Sequence, residues 1–343
     1  MPQKGNRYTY KNVVQLLNNG QWRYISMKNH KWGEEMSYLT EIREYDYREL
    51  CKDAEVLTAK YPFLIKENIG QSVWGKELFY LRFGEGEKKI LLCGAHHGKE
   101  WITALLLARF CEILCKGYES ERTTNGKDMT QLFHEASYFI IPMLNPDGVE
   151  LCIHGLSGVE DEKERERLLC CHGSSADFVG QWQANASGVD LNHNYNALFQ
   201  TGKEVAKREG IIGPGPTRWS GDFPESEPES AALARLTRRL KPDICIAYHS
   251  QGEVIYADFE GKASDCARRI AEAMSGFTGY RLDQTEGMAS YSGYKDWVID
   301  ELGLPAYTVE VGLGENPLPL SQFDEIMRKN IEMLLYLGHR KKA

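Results

Sequence analysis

Long apolar runs are missing from this chain of 343 residues. No window approaches the roughly 20 apolar residues that a membrane-spanning helix needs. The first residues, MPQKGNRYTYKNVV, also lack the apolar core of about 7 to 15 residues that defines a signal peptide. We therefore expect no membrane association, and a cytoplasmic location unless a signal sequence has been removed from the chain.

Positive charge is in deficit, since 41 Lys and Arg face 49 Asp and Glu, which gives a formal net charge of -8. Proteins that bind a phosphate backbone or an anionic membrane favour a basic surface. We therefore expect neither nucleic acid nor a membrane as a partner. A small or peptide-like substrate fits the charge balance better.

Two further sequence patterns are also absent, a disulfide framework and the elbow motif of serine hydrolases. The nine cysteines form an odd set without CxxC pairs, and several lie in apolar segments, such as Cys93 in KILLCGA and Cys245 in DICIAY. This pattern is typical of buried, reduced thiols rather than of a disulfide framework. No GxSxG elbow occurs, which argues against a serine hydrolase of the α/β type.

What is present is an alternation of short apolar runs with amphipathic stretches, which predicts an α/β fold with a helix-covered sheet. Residues 1–41 lack clear periodicity, and we interpret them as an N-terminal extension to a catalytic domain at 42–343. The predicted strands are Lys89–Ala95, Ala136–Met143, Ile244–Ala247 and Ala306–Val311. The predicted helices are Tyr47–Lys60, Trp101–Lys116, Glu225–Leu240, Ser264–Met274 and Ser321–Leu337.

The sharpest chemical signal is the segment Gly94-Ala-His-His-Gly-Lys-Glu-Trp101. His97 and Glu100 are three residues apart, and imidazole and carboxylate are good zinc ligands if the turn brings them together. The spacing alone is common, but this copy follows a predicted strand, and open α/β sheets place their sites at the carboxyl ends of strands. We interpret the neighbouring His96 as a packing or supporting residue.

Two further strands supply the remaining parts of a catalytic metal site. His249 ends the apolar run ICIAYH and is the candidate third ligand, although a buried structural histidine is the alternative. Glu310 lies in AYTVEVG, where an acid is costly to bury without a partner. We interpret Glu310 as a general base rather than a structural carboxylate.

Five motifs occur in an order that resembles the metallocarboxypeptidase family. They are His97-Gly-Lys-Glu100, Asn145-Pro-Asp-Gly148, Gly188-Val-Asp-Leu-Asn192, Tyr248-His-Ser250 and Tyr307-Thr-Val-Glu310. The resemblance is closest to bacterial γ-D-glutamyl-(L)-diamino acid peptidases, which cleave peptidoglycan peptides. The motifs that carry this closer likeness are Gly173-Ser-Ser-Ala-Asp-Phe178, Trp182-Gln-Ala-Asn185 and His249-Ser-Gln-Gly-Glu-Val-Ile-Tyr256.

The resemblance implies a three-layer α/β/α fold with a mixed, mostly eight-stranded central sheet and one zinc ion per chain. In that family an acid matching Asp190 accepts a hydrogen bond from the first histidine ligand. The resemblance also implies that Ser250 and Gln251 line a substrate subsite, and that Asn145 to Gly148 form a supporting turn.

The chain departs from the family at three positions. Gln183 replaces a basic residue that polarises the scissile carbonyl, and a neutral amide stabilises an oxyanion less than a charge does. His193, after Asn192, replaces an arginine that grips a terminal carboxylate as a bidentate fork. Met288 aligns with the family tyrosine, which leaves Tyr291 as the nearest phenol. We interpret Asn192, His193 and Tyr291 as substrate-binding residues and Gln183 as a catalytic one.

These residues together predict a zinc-dependent amide hydrolase acting on peptide or muropeptide substrates, at γ-D-glutamyl bonds to a diamino acid. Two alternatives remain open at this point. The first is an ordinary metallocarboxypeptidase or an N-acyl amino acid deacylase with the same zinc site. The second is a zinc-retaining binding protein with little turnover, which the changes at Gln183 and His193 make conceivable.

Overall fold

Eight strands form one mixed sheet in which the central strands are the most apolar. This computed structural model describes residues 43–121, 123–124, 126–159, 161–172 and 178–340, together with Leu39 and the backbone of 11–16 and 22–27. The sheet strands are β3 (Ile65–Gln71), β4 (Glu77–Phe83), β5 (Lys88–Cys93), β8 (Ala136–Ile141), β9 (Ile244–Ser250), β10 (Val254–Tyr256), β11 (Arg281–Asp283) and β12 (Ala306–Val311).

The strand order across the sheet is β11-β10-β12-β9-β5-β8-β4-β3. Strands β12, β9, β5 and β8 run parallel to one another, whereas β10 is antiparallel to β12, and β4 is antiparallel to both β8 and β3. All residues of β8 and β9 are buried, as expected for strands that helices cover on both faces. The predicted three-layer fold with an eight-stranded mixed sheet is confirmed.

Ten helices, counted within the described residues, surround this sheet and connect its strands. They are α1 (Tyr47–Lys60), α2 (Ile102–Glu119), α3 (Met129–Glu135), α4 (Pro146–His154), α5 (Glu162–His172), α6 (Phe199–Arg208), α7 (Pro228–Leu240), α8 (Asp265–Thr278), α9 (Tyr294–Leu302) and α10 (Phe323–His339). A small antiparallel pair, β6 (Thr123–Thr124) and β7 (Lys127–Asp128), precedes α3. No helix in the described parts of the chain combines the length and apolar character needed to cross a bilayer.

The two faces of the sheet carry separate hydrophobic cores because side chains alternate along each strand. Ile246 and Tyr248 join the core that contains α2 and α10, whereas Cys245 and Ala247 join the core that contains α7 and α9. His249 follows in the second series, so its side chain belongs to the face of α7 and α9. The chemistry of the site is therefore placed at the carboxyl end of a strand whose preceding positions, from Ile244 to Tyr248, pack in the two cores.

The chain divides into two compact units, 1–38 and 39–343. Within the first unit, strands β1 (Lys11–Leu16) and β2 (Trp22–Met27) form an antiparallel pair with Lys11 opposite Met27. The rest of the predicted N-terminal extension, 1–41, lies outside the described residues, apart from Leu39. The sequence motif Gly173-Ser-Ser-Ala-Asp also lies outside them.

Candidate metal centre

The turn after β5 is the first part of the site. His97 precedes a single 3-10 turn, Gly98–Glu100, which brings the His97 Nδ1 atom to 2.9 Å from the Glu100 Oε1 atom. At Gly98, an added Cβ atom would lie 2.2 Å from the Gly148 carbonyl oxygen, so only glycine fits this close approach. The turn therefore converts a spacing of three residues into a pair of converging ligand atoms.

Strand β9 brings the third ligand to the same place. His249 Nδ1 lies 2.9 Å from Glu100 Oε2 and 3.3 Å from His97 Nδ1. The three side chains are buried, and their ligand atoms all lie within 4.8 Å of one another. Two imidazole nitrogens and a carboxylate that converge on one point form a donor set that suits zinc. Three protein ligands leave a fourth coordination position for substrate or water. These residues therefore fit the metal that the sequence predicts.

The charges around this point favour a cation. Burial opposes the ionisation of Glu100, but the adjacent His97 and His249 lower its pKa to about 2. Burial likewise opposes the protonation of His97, but the Glu100 and Asp190 carboxylates raise its pKa to about 10. The cluster thus holds two carboxylates that stabilise positive charge, which a divalent metal ion would supply in place of a proton.

Asp190 holds the first histidine from behind. Its Oδ1 atom lies 3.0 Å from His97 Nε2, and the side chain is fully buried. The pKa of Asp190 is lowered despite its burial, because the neighbouring His97 and His193 stabilise its ionised form. A carboxylate on the far ring nitrogen leaves Nδ1 as the ligand atom and strengthens its donation to a metal. Asp190 thus contacts the far nitrogen of His97, and its role in supporting a metal ligand stays a prediction.

His249 has a different environment. Its Nε2 atom is buried and has no hydrogen-bond partner among the described residues. Instead, the ring stacks on His96 with centroids 5.2 Å apart and ring planes 28° apart. His96 is itself enclosed near the Tyr195 hydroxyl, 3.5 Å from its Nε2 atom. His96 therefore packs behind the second histidine rather than joining the cluster of ligand atoms.

Glu310 lies beside this cluster on the neighbouring strand. The parallel pairing of β12 with β9 places Glu310 directly opposite His249, so their side chains share one face of the sheet. Burial and the Glu100 charge raise the pKa of Glu310 well above its usual value. Glu310 is thus next to the candidate ligands in the sheet but is not part of their cluster, and its role as a general base stays a prediction.

Gln183 joins the site through Asp190. Its side-chain Nε2 donates to Asp190 Oδ2 at 2.9 Å, on the opposite carboxylate oxygen from His97. The Arg218 backbone N–H donates to the same oxygen at 3.0 Å, whereas the Arg218 side chain pairs with Glu209. Because an amide nitrogen carries two hydrogens, Gln183 keeps one for a further partner.

The remaining candidate substrate residues differ in burial and in the hydrogen bonds that their polar groups make. Asn192 accepts a hydrogen bond from the Tyr294 backbone N–H at 3.1 Å, and the His193 Nδ1 atom lies 3.0 Å from the Tyr291 carbonyl oxygen. The Ser250 hydroxyl is turned to Asn316, which accepts its hydrogen bond at 2.7 Å. Gln251 is exposed, Tyr291 is half-buried, and Met288, at the aligned tyrosine position, is buried.

Two asparagines, Asn145 and Asn316, tie the loops of the site together through their side chains. The Asn145 side chain donates to the carbonyl oxygens of His96 and Ala184, so it links the ligand turn to the segment that follows Trp182. The sequence identified this turn as support. Asn316 was not identified, since it lies in the loop GLGENP after β12 and shares no spacing with the ligands. The only signal that could have found it is its position after the strand that carries Glu310.

Fold and site together define a hydrolase with a metal centre at the strand ends of a mixed α/β sheet. A family model described as zinc carboxypeptidase matches residues 51–333. The chain belongs to the zinc carboxypeptidase family and is a zinc-dependent metallopeptidase with a peptide substrate.

Among its relatives is the γ-D-glutamyl-L-diamino acid endopeptidase 1 of Lysinibacillus sphaericus, which is 34% identical over 293 residues, or 85% of this chain and 72% of the relative. Two solved structures share the fold. Thrombin-activatable fibrinolysis inhibitor gives a TM-score of 0.65 at 21% identity, covering 87% of this chain and 74% of that one. Carboxypeptidase A from Helicoverpa armigera gives a TM-score of 0.64 at 18% identity, covering 88% and 75%.

Proposed function

We propose that this metallopeptidase hydrolyses the amide bond between a γ-D-glutamyl residue and a diamino acid, diaminopimelate or lysine, in peptidoglycan-derived peptides. The observation that carries this proposal is its likeness to the Lysinibacillus endopeptidase over most of both chains. The replacement of the carboxylate-gripping arginine by His193 supports it, because histidine cannot form the bidentate fork used to demand a free C-terminus.

In the proposed mechanism, zinc held by His97, Glu100 and His249 would polarise the scissile carbonyl and make a water molecule acidic enough to react near neutral pH. Glu310 accepts the proton that this water gives up and delivers it to the leaving nitrogen. The free N–H of the Gln183 amide donates to the oxygen on which negative charge develops, while its other N–H keeps it on Asp190.

Specificity is proposed to rest on the residues that follow Asp190 and His249. Asn192 and His193 share a short 3-10 turn, Leu191–His193, directly after Asp190, which orients that turn by accepting the Asn192 backbone N–H at 3.2 Å. Gln251 and Tyr291 offer further polar groups to the carboxylates of the substrate. Residues 42–343 are proposed as the catalytic domain, since all of these positions fall within them, and 1–41 as an extension.

We also propose that the protein works in the cytoplasm. All nine cysteines are free thiols, and five of them are buried in the packed interior. Free thiols are typical of reducing compartments.

The test compares matched substrates. Zinc-loaded protein is given a peptide with a γ-D-glutamyl bond to diaminopimelate, the same peptide with the ordinary α-linkage, and a hippuryl amino acid. We expect kcat/KM to be at least about tenfold higher for the γ-linked peptide, which corresponds to about 1.4 kcal/mol of transition-state discrimination.

A higher kcat/KM for the α-linked peptide or the hippuryl substrate would replace the proposal with an ordinary carboxypeptidase or a deacylase. Tight binding of the γ-linked peptide without turnover would instead identify a binding protein. The His97→Ala variant, which removes a proposed metal ligand, is the control for the hydrolysis measurements, because any hydrolysis that it retains at the parent rate does not come from this site.

A further inference from the structure

The Glu100 carboxylate has more partners than the two histidines. Its Oε2 atom accepts a hydrogen bond from the Ser250 backbone N–H at 3.3 Å, and its Oε1 atom lies 3.5 Å from the Asn316 side-chain nitrogen. Each carboxylate oxygen therefore faces one imidazole and one neutral N–H. The second pair of contacts comes from residues that have no place in the metal-ligand set.

Asn316 also holds the residue that follows His249. Its Oδ1 atom accepts from the Ser250 hydroxyl at 2.7 Å, and its Nδ2 atom donates to the Ser250 carbonyl oxygen. One side-chain amide thus engages Ser250 on two polar groups and reaches Glu100 with the same nitrogen. Because Ser250 in turn donates its own N–H to Glu100, the three residues form a closed set of hydrogen bonds.

The loop that carries Asn316 is itself fixed. Gly312 starts it with a φ of 67°, and its carbonyl oxygen accepts the Gly252 N–H at 2.8 Å. The Gln322 side chain closes the loop from its other side, accepting from the Leu313 N–H at 2.9 Å and donating to the Leu313 carbonyl at 2.6 Å. A fixed loop can deliver a side chain to one position, so Asn316 is suited to orient its neighbours.

We propose that Asn316 is a positioning residue of the metal centre, which fixes the Glu100 carboxylate directly and through Ser250. The inference rests on the proposed ligand role of Glu100. Residues that hydrogen-bond a ligating carboxylate restrict its rotation and thereby lower the cost of ordering it around a metal ion. Asn316 follows β12, which carries Glu310, so it also ties the strand of the base to the ligands on β9 and on the turn after β5.

The experiment measures zinc affinity by competition with a chromogenic chelator, without any substrate. Asn316→Ala and Asn316→Leu are compared with the parent, the leucine variant keeping most of the side-chain volume. We expect both to weaken zinc binding by about 10- to 100-fold, the range found when outer partners of metal ligands are removed. Glu315→Gln, an exposed change in the same loop, is the matched control and should bind zinc as the parent does.

Thermal unfolding in excess chelator distinguishes a positioning role of Asn316 from a merely structural one, because it measures the stability of the protein without its metal. A positioning residue should leave the melting temperature of the chelated protein within a few degrees of the parent while zinc affinity falls. Zinc binding within threefold of the parent in both Asn316 variants would overturn the inference, as would an equal loss in Glu315→Gln.

Two further variants, Ser250→Ala and His97→Ala, cover the cases in which the Asn316 variants do not fold or the metal site itself is wrong. If neither Asn316 variant folds, Ser250→Ala tests the same link from its other end, and parent-like zinc binding there would also overturn the inference. His97→Ala reports on the ligand set alone. If the parent binds no zinc, or His97→Ala binds it equally well, the proposed metal site fails, and that failure is distinct from a loss confined to Asn316.

Discussion

The metal half and the substrate half of this site are built differently. His97, Glu100, His249 and Asp190 are at most 8% exposed, and they lie within hydrogen-bonding distance of one another in an unbroken series. The candidate substrate residues, by contrast, range from buried to exposed, and polar atoms of Asn192, His193 and Ser250 are bound to backbone atoms or to Asn316. Gln251 is the extreme case, since it is exposed.

The difference shows which properties the protein fixes before substrate arrives. Buried polar groups must be paired, so the positions of the metal ligands are determined by one another and by the strand ends. We expect the half-buried groups of the substrate side to gain further partners when a substrate binds. Substitutions in the metal half should therefore have large effects on any substrate, and those in the substrate half should have smaller effects that depend on it.

The largest effect on turnover is expected at Glu310. Glu310→Gln keeps the shape of the side chain but removes its ability to accept a proton, so kcat should fall by at least about 100-fold while zinc content and substrate affinity stay close to the parent. Steady-state kinetics with elemental analysis of the same sample checks this. Turnover within a few-fold of the parent would remove Glu310 from the role of base.

The next largest effect is expected at Asp190 and should appear as a loss of zinc affinity. Asp190→Asn replaces the anionic partner of His97 Nε2 with a neutral amide, and we expect zinc affinity to fall by about 10- to 100-fold. Chelator competition measures this change. Asp283→Asn, at an exposed strand edge, is the control. Equal zinc affinity in both variants would show that the hydrogen bond to His97 does not support the metal.

Gln183 stands between the two halves, so its effect should be intermediate. Gln183→Ala removes the proposed donor to the oxyanion, and we expect kcat to fall by about tenfold, below the loss of at least about 100-fold seen for donors in dedicated oxyanion holes. Zinc binding should change much less, because Asp190 keeps its contact with His97. A fall in zinc affinity as large as the fall in kcat would assign Gln183 to the metal half instead.

The smallest effect is expected at His193 and should appear as a change of preference. His193→Arg restores a planar fork that can grip a terminal carboxylate, so the ratio of kcat/KM for hippuryl substrates to that for γ-linked peptides should rise by about three- to tenfold. His193→Gln, which adds no fork, is the matched variant. A ratio that is the same in parent and both variants would mean that His193 does not contact the substrate.

The sequence pointed to His97, Glu100, His249 and Glu310 because each lies in or next to a regular element, whereas Asp190 followed only from the family resemblance. His97 and Glu100 share one turn, and His249 and Glu310 occupy facing positions of two adjacent parallel strands, whose apolar runs are visible in the sequence. It missed Asn316, and it did not foresee that Gln183 would bind Asp190. Both contacts join loops, and loop contacts depend on turn geometry that residue spacing does not reveal.

The same limit applies to the fold. The long apolar strands and the long helices were predicted with shifts of a few residues at their ends; the strand predicted to end at Ala247 continues through His249 to Ser250. The two outermost strands on each side of the sheet, β11 and β10 on one side and β4 and β3 on the other, were not predicted. β3 reads IKENIGQ, with polar residues on both faces, and β10 has only three residues, so neither has a periodic signal strong enough to detect.

The most direct test of the account is a comparison of zinc content in two variants that carry the same chemical change at the two glutamates of the site. We predict that Glu310→Gln retains about one zinc per chain, whereas Glu100→Gln loses most of it after dialysis against a weak chelator, because only Glu100 is a ligand. Full zinc content in Glu100→Gln, or loss of zinc from Glu310→Gln, would contradict the division of this site into three metal ligands and a separate base.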